Sequence, residues 1–251
     1  MPKYNNPPII ESVCEIRFSD DTNWDITVPG LIFEDIRNEY PQKEQRTTQE
    51  INISMSGIAF PRTRSQIKRQ DYAVFLTDDK KSRIQVGPRI LLINQLKPYS
   101  AWNDFKSQVN YAFQKLSVRV ELAGVQRIGL RYINKIEIPM ENNKVTLEEY
   151  FEFRPFCGER LPQTHGEFIV GCVFPYSGGR DLCRIEFTSA MPENEGSLAF
   201  LLSLDYFLAK PRSIPVTQSI DWIEEAHGNI ENLFEGCILP PLREIFGEVK
   251  E

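Results

Sequence analysis

The tightest constraint on this chain is a period of two. In Ser12–Phe18, Cys14, Ile16 and Phe18 fall on one side and Val13, Glu15 and Arg17 on the other, as in a strand with one buried face. Val125–Ile138 repeats the pattern, with Arg127, Gly129, Arg131, Ile133 and Lys135 opposite Ile128, Leu130, Tyr132, Asn134 and Ile136. Shorter β-type runs are expected at Ile51–Phe60, Asp71–Thr77, Arg83–Gly87 and Ile90–Leu96, then at Phe168–Phe174, Leu182–Thr188 and Leu198–Leu208. Turn-forming residues separate them: Pro61, Asp78-Asp79-Lys80-Lys81, Gly87-Pro88 and Ser177-Gly-Gly-Arg180.

Between these runs the period changes to three and four. A helix is expected over Gly30–Tyr40, after Pro29 and before Pro41. A second, Ala101–Leu116, has Ser100 as its cap and repeats Trp102, Phe105, Val109, Ala112, Phe113 and Leu116 along one face. A short helix is expected at Leu147–Phe153. A long one at Ser219–Phe246, bent near Pro240-Pro241, buries Trp222, Ala226, Ile230, Leu233, Phe234 and Ile238. Strand, helix, several strands, helix thus occurs twice, in residues 1–123 and 124–251, within one continuous domain. The fold class expected is α+β: an extended antiparallel sheet with long helices on one face and a β-α-β(3-4)-α duplication.

Composition supports a packed domain. In a chain of 251 residues, 41% of them hydrophobic, a core can form without disulfide or metal staples. The longest apolar stretch, Ser197–Leu208, is cut by Asp205 and is shorter than the roughly 20 residues a membrane span needs, so no membrane association is expected. The first residues lack the apolar run of a secretory signal, which gives a cytoplasmic address as the expectation. Five cysteines, Cys14, Cys157, Cys172, Cys183 and Cys237, are then expected as reduced thiols, and their spacing, with His165, matches no zinc pattern. A net charge of −6 argues against a surface that binds nucleic acid throughout.

The order of elements resembles the duplicated fold of the TATA-binding protein family, which implies a shape. The phenylalanine wedges of that family have no assigned counterpart here, and the chain is acidic where that family is basic, so no DNA-kinking activity is carried over. Tyr4-Asn-Asn-Pro-Pro-Ile-Ile-Glu-Ser-Val-Cys-Glu-Ile-Arg-Phe18, Trp24-Asp25, Pro29-Gly30, Arg127-Ile-Gly-Leu-Arg-Tyr-Ile-Asn134, Ala226-His227 and Phe234-Glu235 carry a second resemblance. They are similar to a sporadically distributed family of bacterial proteins of about this length that has no established activity. That resemblance implies an accessory-gene protein of the bacterial cytoplasm, acting beside a partner.

Chemistry is sought where charges interrupt the strands. Glu15, Arg17, Arg127, Arg131, Glu186 and Asp205 are expected on the sheet face that the helices leave uncovered, where cross-strand neighbours are ~5 Å apart. Such a ladder either keeps an open face soluble or holds a ligand, with Arg127 and Arg131 as forked donors to a carboxylate or phosphate. The leading expectation is a non-enzymatic binding or regulatory protein, engaging a protein or anionic partner, or another copy of itself, through this face. No cofactor, metal or catalytic set is expected. One alternative is a metal-dependent hydrolase or nuclease using Glu15, Glu186 and Asp205 with Arg131 as electrostatic stabiliser. Another is a nucleic-acid binder through Arg62–Arg89, where eight basic residues face three acids, although the segment's only aromatic residues are Tyr72 and Phe75. Asp221–Glu251 reverses that balance, with eight acids against Arg243 and Lys250. Asp71 with Asp78-Asp79-Lys80 imitates a nuclease motif but is expected to be a hairpin turn, and Gly178-Gly179 likewise. His227, with Glu224 able to orient its ring, is expected to pack or cap a helix.

Overall fold

The computed structural model describes residues 3–56, 62–162 and 166–249, and of 48–70 no side chains. The elements run β1 (Lys3–Tyr4), β2 (Ile9–Phe18), α1 (Val28–Ile36), β3 (Gln42–Ser56), β4 (Arg62–Leu76), β5 (Ser82–Gly87), β6 (Ile90–Leu96) and α2 (Trp102–Arg119). They continue with β7 (Val125–Pro139), β8 (Ile169–Tyr176), β9 (Asp181–Ala190), β10 (Ser197–Leu208), α3 (Ser219–Cys237), α4 (Pro240–Phe246) and β11 (Glu248–Val249). Nine strands form one antiparallel sheet in the order β3-β4-β5-β6-β2-β7-β10-β9-β8. The fold class is α+β, as expected from the pattern.

Strands from before and after Gly124 meet at the centre, where β2 lies antiparallel to β7. From that pair β6, β5, β4 and β3 extend one way and β10, β9 and β8 the other. A single core cluster joins Cys14, Ile16, Leu91, Ile93, Ile128, Leu130, Leu202 and Leu204 of the strands to Ile32 and Ile36 of α1, Phe105, Val109 and Leu116 of α2, and Trp222, Ile223 and Ile230 of α3. Each large apolar side chain buried in this way contributes roughly 1.5–3 kcal/mol, so the two sequence periods, locked together, account for the main driving force. Tyr72, Val74, Leu76 and Ile90 form a smaller buried cluster apart from it.

Several local expectations shift. Helix α2 is capped at Ala101 and not at Ser100, and no side chain supplies a capping bond; Asp104 in its first turn meets the positive end of the helix instead. Leu147–Phe153 is not a helix. A 3₁₀ turn covers Leu147–Glu149, and Phe151 forms an isolated β-bridge to Ile238, which turns its ring into the core. The C-terminal helix is two helices. Ile238-Leu239 is extended between them, and Pro240 and Pro241 open α4, where their missing N–H groups cost no intrahelical bond. Gly247 ends α4 at φ +69°, a left-handed conformation that glycine adopts without strain. The outer hairpin β3–β4 is longer than the runs expected there, and 57–61, the end of the expected Ile51–Phe60 run and Pro61, lie outside the described residues.

The two ends of the chain meet. Lys3 and Tyr4 pair with Val249 and Glu248, and the amides of Asn5 and Asn6 donate to the carbonyls of Gly247 and Phe246. This clasp lays Pro7 and Pro8 across the space between α3 and β7. Among the described residues, no helix is long and apolar enough to cross a membrane.

Candidate functional site

Alternation places all six expected site residues on the sheet face turned away from the main core. Their chain neighbours Cys14, Ile16, Ile128, Leu130, Ile185, Phe187, Leu204 and Tyr206 are buried in that core. The register then sets who meets whom. Glu15 stands opposite Gly129 and Arg17 opposite Arg127, while Asp205 stands opposite Arg131 on one side and Arg184 on the other.

Four of the six join one ion-pair network. Arg127 Nη1 lies 2.5 Å from Glu15 Oε1 and its Nη2 3.5 Å from Asp205 Oδ2; Arg17 Nε reaches the same Glu15 oxygen at 2.9 Å. The guanidinium of Arg127 also lies 5.1 Å from the centre of the Phe207 ring. Gly129 makes this geometry possible: a Cβ at that position would be 2.9 Å from Arg127 Nη1, so a larger residue would push the guanidinium aside. Arg131 donates to Ser203 Oγ at 2.9 Å and forms no ion pair with a described carboxylate. Glu186 stands opposite Ser203 and Gly171 and forms no ion pair with a described residue. The carboxylates suggested for a metal are therefore not assembled, since Arg127 lies between Glu15 and Asp205. Among the described residues no three His, Cys, Asp or Glu side chains gather as metal ligands would.

Asp205 is partly buried on this face. Burial pushes its carboxyl above the ordinary aspartate range, and Arg127, Arg131 and Arg184 recover only part of that. A raised native value means that the folded state binds more protons than the unfolded one between the two values, so stability falls as pH rises through that window. Asp205→Asn, which cannot ionise, is therefore expected to gain stability relative to the unmodified protein between pH 4 and pH 7. Urea denaturation at both pH values checks this. A gap that narrows with pH would show that the arginines outweigh burial.

A second constellation was not expected. Tyr99, Tyr132, His227 and Glu231 form a hydrogen-bonded chain, with Tyr99 Oη 3.2 Å from Tyr132 Oη, Tyr132 Oη 3.1 Å from His227 Nδ1 and His227 Nε2 3.2 Å from Glu231 Oε1. One donor order satisfies every link, each phenol donating toward the imidazole and Nε2–H donating to the carboxylate. Burial pushes both tyrosine hydroxyls up, so they remain protonated donors. The indole of Trp102 stacks on the imidazole at 3.9 Å and 12°. His227 does pack within its helix, but Glu231 one turn later holds the ring. Glu224 instead accepts from Trp102 Nε1 at 3.0 Å and pairs with Lys106, which holds its carboxyl below the usual range.

These groups line a cavity of about 130 Å³, closed on its other side by Tyr4, Pro7, Pro8 and Phe234. Tyr4 Oη donates to Glu235 at 2.7 Å, and Arg243 pairs with Glu235 at 2.7 Å. No spacing in the sequence announces this cavity, because its walls come from both ends of the chain and from β7 and α2 between them.

The remaining motifs have plain structures. Asp79 Oδ1 accepts from Thr77 Oγ1 and the Lys81 amide, so Asp78–Lys80 is a turn, and Gly178-Gly179 lies in the 3₁₀ turn between β8 and β9. Cys14, Cys183 and Cys237 are buried, Cys172 is exposed, and all five cysteines are free thiols. His165 and the side chains of Arg62, Arg64, Lys68 and Arg69 lie outside the described residues; Arg89 pairs with Asp20 at 2.6 Å. Compared with protein-family models, curated proteins and solved structures, the chain has no match.

Proposed function

We propose that this is a non-catalytic binding protein of the bacterial cytoplasm that takes an acidic protein segment on the sheet face opposite its core. The observation that carries this reading is the pair Arg131 and Arg184. Both are exposed, both flank Asp205 in register, and neither forms an ion pair with a described residue. Arg17 and Arg127, by contrast, pair with Glu15. A planar guanidinium with spare donors binds carboxylates in a forked geometry, and two of them on strands either side of β10 give an anion two points of attachment. In this reading Glu15, Arg17, Arg127 and Asp205 stiffen the platform, Arg131 and Arg184 make the contact, and Glu186 sets its negative border.

The same reading takes the protein as a duplicated strand-helix-strands-helix unit in the manner of the TATA-binding protein, with the long helices covering one face. Support comes from the central β2–β7 pair and from the outward strand order on either side of it. The second half departs by having a 3₁₀ turn where the first has α1.

Titration with a fluorescent oligoglutamate peptide tests the function. Binding is expected to weaken as salt rises and to weaken at least about tenfold in the Arg131→Ala/Arg184→Ala variant, with circular dichroism unchanged. Equal affinity in both proteins would overturn the proposal, as would tighter binding of a single-stranded oligonucleotide than of the peptide.

A further inference from the structure

The cavity beside His227 has a chemistry that the open sheet face lacks. Its wall carries five aromatic rings, those of Tyr4, Tyr99, Trp102, Tyr132 and Phe234, together with two carboxylates and, among the described residues, no lysine or arginine. At about 130 Å³ it has room for roughly four water molecules at ~30 Å³ each, enough for one small organic molecule and too little for a peptide or nucleotide. The two carboxylates differ. Glu235 is occupied by the Tyr4 hydroxyl and Arg243, whereas Glu231 is engaged, among the described residues, by His227 alone and is partly exposed. An aromatic lining with one under-used carboxylate at its rim attracts a cation twice, through the ring quadrupoles and through the formal charge.

We propose that this cavity binds a small organic cation of the alkylammonium class, with the aromatic rings around its apolar substituents and Glu231 as its counter-ion. The hydrogen-bonded chain from Tyr99 to Glu231 has a structural role in this arrangement. It fixes the orientation of Tyr132 and His227 and holds the carboxylate at the rim, so the site is formed before the ligand arrives. The N-terminal clasp closes the opposite wall, which ties ligand binding to the pairing of β1 with β11.

Choline is a suitable probe because it is a small quaternary ammonium ion, and 3,3-dimethylbutan-1-ol is its neutral carbon isostere. Calorimetric titration of the intact protein is expected to give a Kd of about 1 mM or tighter for choline and at least tenfold weaker binding of the isostere. Glu231→Gln, a change at a partly exposed helix position, is expected to weaken choline at least fivefold and leave the isostere unchanged. Trp102→Leu is expected to weaken both. Equal binding of choline and dimethylbutanol would overturn the proposal by showing an apolar pocket without charge recognition. No heat with choline at tens of millimolar, or unchanged choline affinity in Glu231→Gln, would overturn it as well.

Discussion

Replacing Asp181 by alanine is expected to remove about 2–5 kcal/mol of folding stability, because it leaves two buried donors without an acceptor at about 1–3 kcal/mol each. The Asp181 side chain is fully buried at the start of β9, yet it accepts four hydrogen bonds. Arg180 reaches it at 2.6 and 3.1 Å, Trp222 Nε1 at 3.0 Å and Tyr206 Oη at 3.3 Å. Trp222 belongs to α3 and Tyr206 to β10, so one carboxylate fastens the last long helix to the sheet. Alanine would leave the indole N–H and the phenol buried without an acceptor, while Arg180 could turn to Glu225, already 3.5 Å away. Asp181→Asn keeps the shape and one acceptor and should lose about half as much. Equilibrium urea denaturation measures both, and a loss below about 1 kcal/mol for the alanine variant would refute the fastening role.

Phe151→Ala should cost a similar amount, about 3–5 kcal/mol, by leaving a cavity in the aromatic cluster of the second half. Its ring lies 4.5 Å from Phe187 and 5.7 Å from Phe200, and Phe168 packs against both of those. For a chain of this length the corresponding fall in Tm is roughly 6–20 °C. The same residue bridges Ile238, and the amide of Leu239 donates to the Tyr150 carbonyl. The thermal effect should therefore come with faster amide exchange at the α3–α4 junction. A destabilised variant with unchanged exchange there would separate the two roles.

The sequence was most informative where side chains alternate. Cys14, Ile16, Ile128 and Leu130 were assigned to the core side by parity alone, and they are buried. It was least informative where structure rests on the backbone. Residues 42–50 are polar on both faces, so the pattern gave little of them, yet each pairs with β4 through main-chain bonds that leave no periodic trace. Leu147–Phe153 failed for the opposite reason. Its apolar spacing suits a helix, but burying Phe151 against Phe187 and Phe200 outweighed a helical preference too short to be stable alone.

The charged face divides in the same way. Parity put Glu15, Arg17, Arg127, Arg131, Glu186 and Asp205 on one side of the sheet, but register decided that Arg127 would join Glu15 to Asp205 and that Arg131 and Arg184 would flank Asp205 without a close ion pair to any described residue. The space over Gly129 that the Arg127 guanidinium fills has no signature at all in a linear pattern.

The order of residues by itself determined which side of each strand and helix would leave water, because that depends on a period of two or four read over a few neighbours. Only the tertiary structure decided that Tyr4, Tyr99, Tyr132, His227 and Glu231 would surround one cavity, because their closeness depends on strand register, helix placement and the clasp between the chain's two ends. Hydrophobic burial is a local preference that can be read residue by residue. Meeting in space is a property of the whole packing, and no short stretch of the chain contains it.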